Sequence, residues 1–378
     1  MTASIDIWHY FQDSPQTKQL FAAWTAEFNA KYPNVKVNFV YVPYDQMNNK
    51  LLLSGQQGSG PDGALYDPSN AAALMSAKAI VDMAPYVNNW SDLSQIAKSA
   101  VWKSGDQVLS IQGYVNLLGF YYNKDVLTKA GVKPATTVAE LQAQLPKLKA
   151  VGVNALDIPG KPTADGEFGA FPWFLGEGVN YTNLSSPVTT TVLARTAQWV
   201  KDGYVPKDAA VWGPTEAFAD WIKGNAAYCQ CGNWELGTAK TDAKFAYGVV
   251  AQPAGAAGSH VVGGGEGASI GSAAKNPALV AEFFKLTVLS KAGQLAFLTI
   301  NGGLPTRLDA GKDPSVTSNA LLAPFAGEVA NTGSRPSSPK ISRAMIAMGT
   351  AWSAALSGQQ SPSGAAQTLA SSVAQIMN

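Results

Sequence analysis

At 378 residues the chain is too long for one ordinary hydrophobic core and suits two lobes. It is 46% hydrophobic and only 14% charged, a globular composition that excludes disorder. With 27 Lys and Arg against 26 Asp and Glu and no basic stripe, it lacks the charge signature of a nucleic-acid partner.

The first ninety residues alternate strand and helix. Ile5-Asp-Ile-Trp8 reads as a strand. Ser14-Pro15 starts a helix, because Ser caps free amides and Pro suits the first helical position. Leu20, Trp24 and Phe28 then recur every four residues on one face, and Pro33-Asn34 stops the helix. Residues 35–41 alternate as a strand with one face more buried. A helix near Tyr44 to Ser54 and a short strand Gly63 to Tyr66 complete a β-α-β-α-β order, which predicts a mainly parallel sheet covered on both faces.

Further on, Thr137-x-x-Glu140 is a capping box for a helix carrying Val138, Leu141, Leu145 and Leu148, which Pro146 should kink or split. Thr215 is placed to cap a helix with Phe218, Trp221 and Ile222 inward and Gly224 at its end. Ala226 to Cys231 reads as a buried strand. The stretch from Ala254 to Gly267, rich in Gly, Ala and Ser, reads as a loop where amides can approach a ligand. Asn276-Pro277 opens a helix with Val280, Phe283 and Phe284 inward. The last hundred residues show no strand, only helices marked by Met345, Met348, Trp352 and Leu356 and by Leu369, Val373 and Ile376.

The most apolar stretch, Leu279 to Ile300, is broken by Glu282, Lys285 and Lys291, so no transmembrane segment is expected where one needs roughly 20 apolar residues. Met1-Thr-Ala-Ser leads directly into a strand, which is either a cytosolic start or one from which a leader was removed. Cys229 and Cys231 share one face of a strand at the edge of disulfide geometry; they read as two buried thiols, with a strained bridge as the alternative. With two Cys and two His in the chain, no metal site and no cofactor is expected.

Several segments, in order over nearly the whole chain, resemble the extracellular solute-binding proteins of carbohydrate ABC importers, the family that includes maltose-binding protein. They are Ile5 to Trp8 with Trp24, Phe28 and Tyr32 to Val37; Gly60-Pro-Asp62 with Tyr66-Asp67; Leu118 to Asp125 with Ala130 to Pro134; Ile222 to Ala227 with Gly232-Asn-Trp-Glu235; and Gly264-Gly-Glu266 with Lys275-Asn-Pro277 and Gly303-Leu-Pro305. The resemblance implies two discontinuous α/β lobes joined by a three-segment hinge, with a helical C-terminal region and a ligand cleft between the lobes. Lobe 1 would be residues 1–110 and 249–304, and lobe 2 residues 111–248 and 305–378, with crossings near Leu109 to Gly113, Gly248 to Gln252 and Gly303 to Arg307. It also implies a sugar as small-molecule ligand, ABC permease subunits as partners, an extracytoplasmic location and a removed leader.

A sugar offers C–H faces to aromatic rings and hydroxyls to Asp, Asn, Glu or Arg. By its place after Gly232-Asn233, Trp234 is the leading stacking candidate that the resemblance implies; Glu235 beside it would accept hydroxyls or start a helix. Tyr66, Asp67, Ser69 and Asn70 follow a strand, where open α/β sheets bind ligands, and Asp67 is otherwise a helix cap. His9, Tyr10 and Asp13 are placed alike. Tyr114 and Asn116 follow the first crossing. Glu167, Phe168, Phe171 and Trp173 form an aromatic-acid cluster that is either a stacking region or a core helix. Gly264, Gly265 and Glu266 lie in the glycine-rich stretch, and Arg307 follows the third crossing as a contact or a surface charge. Met345 and Gly349 stand where the maltose binder of the family has further contacts, which argues against maltose itself.

Gly267-Ala-Ser269-Ile-Gly271 matches a hydrolase nucleophile turn, but no His follows Ser269, as that fold requires. A glycoside hydrolase would need two carboxylates flanking one bond; Asp67, Glu167, Glu235 and Glu266 supply candidates without a spacing that demands it. Amino sugars and glycerophosphodiesters remain alternative ligands, although no cluster of Arg or Lys favours a phosphate.

Overall fold

A computed structural model describes residues 3–329, 332, 333, 335, 336 and 338–378. They form two compact α/β units, one of Met1–Asn116 and Gly264–Asn319, the other of Leu117–Gly263 and Ala320–Asn378. The chain passes between units after residues 116, 263 and 319, against 110, 248 and 304 from the sequence. Strand pairing explains the shift. Tyr114–Val115 pairs with Leu304–Pro305 and so stays with the first unit. Tyr247–Val250 pairs antiparallel with Leu118–Asn123, which holds the chain in the second unit past residue 248.

In the first unit, Ser14 Oγ accepts from Thr17 N–H at 3.1 Å and caps helix Pro15–Lys31. Leu20, Trp24 and Phe28 bury completely, packed with Ile5, Ile7, Phe283 and Phe284. Each such side chain contributes about 1.5–3 kcal/mol. The sheet runs Val35–Tyr41, Ala3–His9, Gly63–Tyr66, Gly267–Ile270, Gln107–Gln112, Val101–Ser104. Only the first three strands are mutually parallel. Gly267–Ile270, from 200 residues further on, inserts antiparallel to both neighbours, and Val101–Ser104 is a hairpin partner. The expectation of a mainly parallel sheet therefore holds for residues 3–66 alone. Val35–Tyr41 is an edge strand: Val35, Val37 and Phe39 pack against the core as the alternation predicts, and only Tyr41, 55% exposed, departs from it.

The apolar stretch is two helices, Pro277–Leu286 and Lys291–Asn301, bent by 61°; Ser290 caps the second through Gly293 N–H at 2.8 Å. Among the described residues no single helix is long and apolar enough to cross a membrane.

The second unit's sheet runs Tyr247–Val250, Leu118–Asn123, Ala226–Gly232, Asn154–Asp157. All seven residues of Ala226–Gly232 are buried. Cys229 and Cys231 lie there as free thiols; Cys231 Sγ donates to the Pro214 carbonyl at 3.3 Å, and burial raises both pKa values, which leaves them poor nucleophiles. The Thr137–Glu140 capping box forms, and its helix, Val138–Lys149, continues through Pro146 instead of splitting. Helix Pro214–Trp221 starts two positions early, with Gly213 at the cap position expected for Thr215. Pro214 takes the first turn and Glu216 accepts from the Gly213 N–H at 2.9 Å, so Thr215 is inside the helix and not its cap. The last hundred residues do contain strands, Leu304–Pro305 and Thr332–Gly333; the latter pairs with Val261–Val262, inside the stretch read as a loop. Two-residue strands carry no periodic signal. Helices Ile341–Leu356 and Pro362–Met377 close the chain.

Candidate functional site

The first unit gathers polar side chains where its strands end. Gly265 has φ +105°, and a Cβ there would stand 2.2 Å from the Tyr114 carbonyl oxygen, so only glycine permits the approach. Asn116 and Gly264 exchange backbone hydrogen bonds at 3.2 and 2.8 Å, and Gln112 Nε2 donates to the Gly264 carbonyl at 2.8 Å. This holds the buried Glu266 carboxyl against Asn116 Nδ2, 3.5 Å away, and against the Tyr114 and Tyr10 hydroxyls. Burial pushes Glu266 up to about 7, against the opposing pull of those two hydroxyls. Tyr10, half-buried and edge-on to Tyr44 at 5.0 Å, is held well above its ordinary range by burial, then by the Glu266 and Asp67 charges. The Asn116 Oδ1 is buried without a hydrogen-bond partner. Buried polar atoms of that kind are costly unless something meets them.

Asp67 is half-buried, and its Oδ1 accepts from Ser69 N–H at 3.0 Å, so it does cap the turn Pro68–Asn70. Ser69 is half-buried beside the buried Asn70, whose Nδ2 lies 3.4 Å from the Ser69 Oγ. Tyr66 is corrected to a core residue: it is fully buried and its hydroxyl lies 3.0 Å from Ser269 Oγ. Residues alternate along a strand, so Tyr66 points into the layer below while Asp67 leaves the strand end. Asp13 is a solvated surface charge paired with Lys18 at 2.9 Å. His9 is buried against Phe21, ring centroids 4.6 Å apart, and burial lowers it to about 4. Arg307 is neither a contact nor a surface charge. It is buried, donating to both Asp309 oxygens and to Asp92, each at 2.9 Å.

In the second unit, strand Ala226–Gly232 runs into a 3₁₀ turn, Asn233–Glu235. Leu117 N–H donates to Asn233 Oδ1 at 2.7 Å and fixes that turn. The half-buried Trp234 ring folds back over Gly232, where a Cβ would meet it at 1.9 Å. Half-buried Phe168 lies 6.0 Å from Trp234, tilted by 38°. Neither ring of this pair is part of the fully buried core. Glu235 is buried, near enough for its charge to help hold the Tyr121 and Cys231 protons.

Trp173 is corrected to core. It is 1% exposed, its indole N–H donates to Gln230 at 3.2 Å, and it packs edge-on to Phe120 and Trp199. Phe171 is likewise fully buried, against Tyr181. One helix, Ala164–Gly176, therefore divides its aromatics between core and surface. Glu167 is fully buried in an ion pair with Arg335. Sequence reasoning missed Arg335; its signal was the acid itself, since a carboxylate on an apolar helix requires a cation. Gly349 allows helix Ile341–Leu356 to approach Thr163, whose carbonyl a Cβ would meet at 1.9 Å.

The Gly-x-Ser-x-Gly segment is strand Gly267–Ile270 itself and not a turn after a strand. Ser269 is fully buried and donates to the Leu109 carbonyl at 2.8 Å, so it presents no nucleophile.

Residues 23–324 match the family described as bacterial extracellular solute-binding protein. An arabinooligosaccharide-binding protein of Bacillus subtilis (strain 168) is 29% identical over 122 residues, 31% of this chain and 28% of that protein. The alignment thus spans under a third of that curated relative's length. The GacH receptor of Streptomyces glaucescens GLA.O, whose structures include complexes with acarbose and an acarbose homolog, superposes with a TM-score of 0.88 over 100% of this chain and 98% of that one, at 24% identity. Maltose-bound MalE3 of T. maritima gives a TM-score of 0.89 over 99% of both chains at 17% identity. At these identities the structures establish the two-lobed α/β fold.

Proposed function

The chain belongs to the bacterial extracellular solute-binding proteins, and from that membership we propose that it captures a sugar or oligosaccharide and hands it to an ABC import permease. The observation that carries the ligand class is the half-buried Trp234–Phe168 pair at the end of a strand. Flat rings suit the C–H faces of a sugar. Glu266, Tyr10, Asn116, Asp67 and the Tyr114 hydroxyl are the groups proposed for its hydroxyls; Gly265 shapes the loop of Glu266, Ser69 and Asn70 flank Asp67, and Glu235 flanks Trp234. Closure about the three chain passages on binding is part of the proposal, and scattering measures it as a smaller radius of gyration with saturating sugar.

The family is one of binding proteins that work outside the cytoplasm. A removed leader, a periplasmic or lipid-anchored form and a monomeric state complete the proposal. The test is a thermal-shift screen, since a ligand that binds only the native state raises the melting temperature by mass action. It starts from arabino-oligosaccharides, maltose and acarbose, the ligands named for the related proteins, and extends to amino sugars and glycerophosphodiesters. No shift with any carbohydrate would sink the sugar reading.

A further inference from the structure

The second unit holds an ion pair that this reading does not use. Glu167 is fully buried on helix Ala164–Gly176. Arg335 donates to it through Nε at 3.0 Å and Nη2 at 2.6 Å, one bond to each oxygen, and the Tyr181 hydroxyl donates to Oε1 at 2.9 Å. Arg335 lies 168 residues further along the chain, and its segment is fixed a second time. Thr332–Gly333 pairs with Val261–Val262, and Gly333 sits where a Cβ would come within 2.4 Å of Leu175 Cδ1. Leu175 belongs to the same helix as Glu167.

The fork of a guanidinium is planar, so two bonds to one carboxylate fix its plane as well as its position. That plane bears on an aromatic ring. The Arg335 guanidinium carbon is 5.9 Å from the Phe168 centroid, and Phe168 is 6.0 Å from Trp234. A half-buried ring has rotamer freedom to lose, and a fixed cation beside its π-system favours one orientation. A buried ion pair is weak evidence for stability, because desolvation offsets its attraction. Here it ties a distant segment to the helix that presents Phe168.

We propose that Arg335 is a positioning residue: locked by Glu167, which Tyr181 holds in turn, its guanidinium holds the Phe168 ring toward Trp234 and so sets the aromatic surface that receives the sugar. The last step rests on the sugar-binding reading; the positioning of the rings does not.

The experiment separates the two. The protein is labelled with 5-fluorotryptophan, and Trp234→Phe assigns the Trp234 resonance among the ten tryptophans. Glu167→Gln combined with Arg335→Met keeps the volume and an acceptor for Tyr181 while removing the charges. In that variant, without ligand, the Trp234 fluorine resonance should shift or broaden while those of buried Trp24 and Trp221 stay. Arg335→Lys, which keeps the cation without the fork, should fall between variant and parent. Affinity for whichever of maltotriose or arabinotriose binds the parent should fall about tenfold or more, the scale on which a displaced aromatic hot spot is felt. An unmoved Trp234 resonance in the folded variant overturns the proposal. If the double variant does not fold, Arg335→Lys alone decides: a resonance identical to the parent's counts against positioning. Should Trp234→Ala bind sugars normally, the sugar reading falls while the ligand-free spectrum still judges Arg335.

Discussion

Tyr114 lies flat on Phe297, ring centroids 3.7 Å apart and planes within 23°, and this stack leaves the Tyr114 hydroxyl beside the Glu266 carboxyl. The ring belongs to the core of the first unit, while its polar end meets a buried acid. Core packing thus fixes one member of the polar patch, and a patch fixed in this way needs little reordering to bind.

Glu266 makes the stability of the protein pH-dependent in an unusual direction. Its folded pKa stands near 7 against an ordinary 4.5. Between those values the folded state keeps a proton that the unfolded state has lost. Stability from this group is therefore full below about pH 4.5, falls as pH rises, and levels off above about 7. Glu266→Gln lacks the effect and should gain about 3 kcal/mol relative to the parent on going from pH 4 to pH 8. Urea unfolding of both proteins across that range measures it. Parallel profiles would show that Glu266 ionises in the folded state as a solvated acid does.

Arg307 should act on stability and not on ligand. Its guanidinium is 3% exposed, but Asp92 and Asp309 are 47% and 33% exposed, which screens the pair. Arg307→Ala should cost about 3 kcal/mol, the low end for losing one member of a buried pair. Calorimetry should show an early melt with unchanged sugar affinity per folded molecule. Weaker affinity at full folding would return Arg307 to the binding residues.

Much of the local structure was legible because it is written locally. Ser14, Thr137, Asn276 and Ser361 each cap the helix that their neighbours announce, and Leu20, Trp24 and Phe28 declare a buried face by spacing alone. What stayed hidden depends on distant partners. Gly267–Ile270 becomes an inserted strand only because Gly63–Tyr66 and Gln107–Gln112 leave a gap for it. Tyr66 and Trp173 share composition and neighbourhood with Asp67 and Phe168, yet the direction of one side chain sends the former pair to the core. Periodicity over a few residues does not resolve that choice. The Glu167–Arg335 pair spans 168 residues: the acid on an apolar helix calls for a cation, but nothing near it says which one.

No glycoside hydrolysis is expected. Glu167 is engaged by Arg335 and Tyr181, and Ser269 is buried within a strand. Incubation with the best-binding sugar, followed by chromatography, should return it intact. Catalytic turnover that disappears in Glu235→Gln or Glu266→Gln would overturn the binding-only reading, since paired carboxylates are the machinery of that reaction.

The two tryptophans Trp24 and Trp234 should separate core from site. Trp24 is fully buried, stacked on Phe297 at 6.2 Å, and its indole N–H donates to the Gly293 carbonyl at 3.2 Å. Truncation leaves a cavity and removes that hydrogen bond, so Trp24→Ala should cost about 3–5 kcal/mol. Trp234 is half-buried, lies over Gly232, and has Phe168 as its ring neighbour. Its removal empties no core, so the melting temperature of ligand-free Trp234→Ala should stay within a few degrees of the parent, as a loss of under 1 kcal/mol implies at this chain length. Sugar binding should weaken by about 2 kcal/mol or more, the scale of an aromatic hot spot. Titration and scanning calorimetry on the two variants give opposite patterns if the assignment is right. Normal sugar binding with an early melt in Trp234→Ala would make Trp234 a core residue and remove the stacking surface from the second unit.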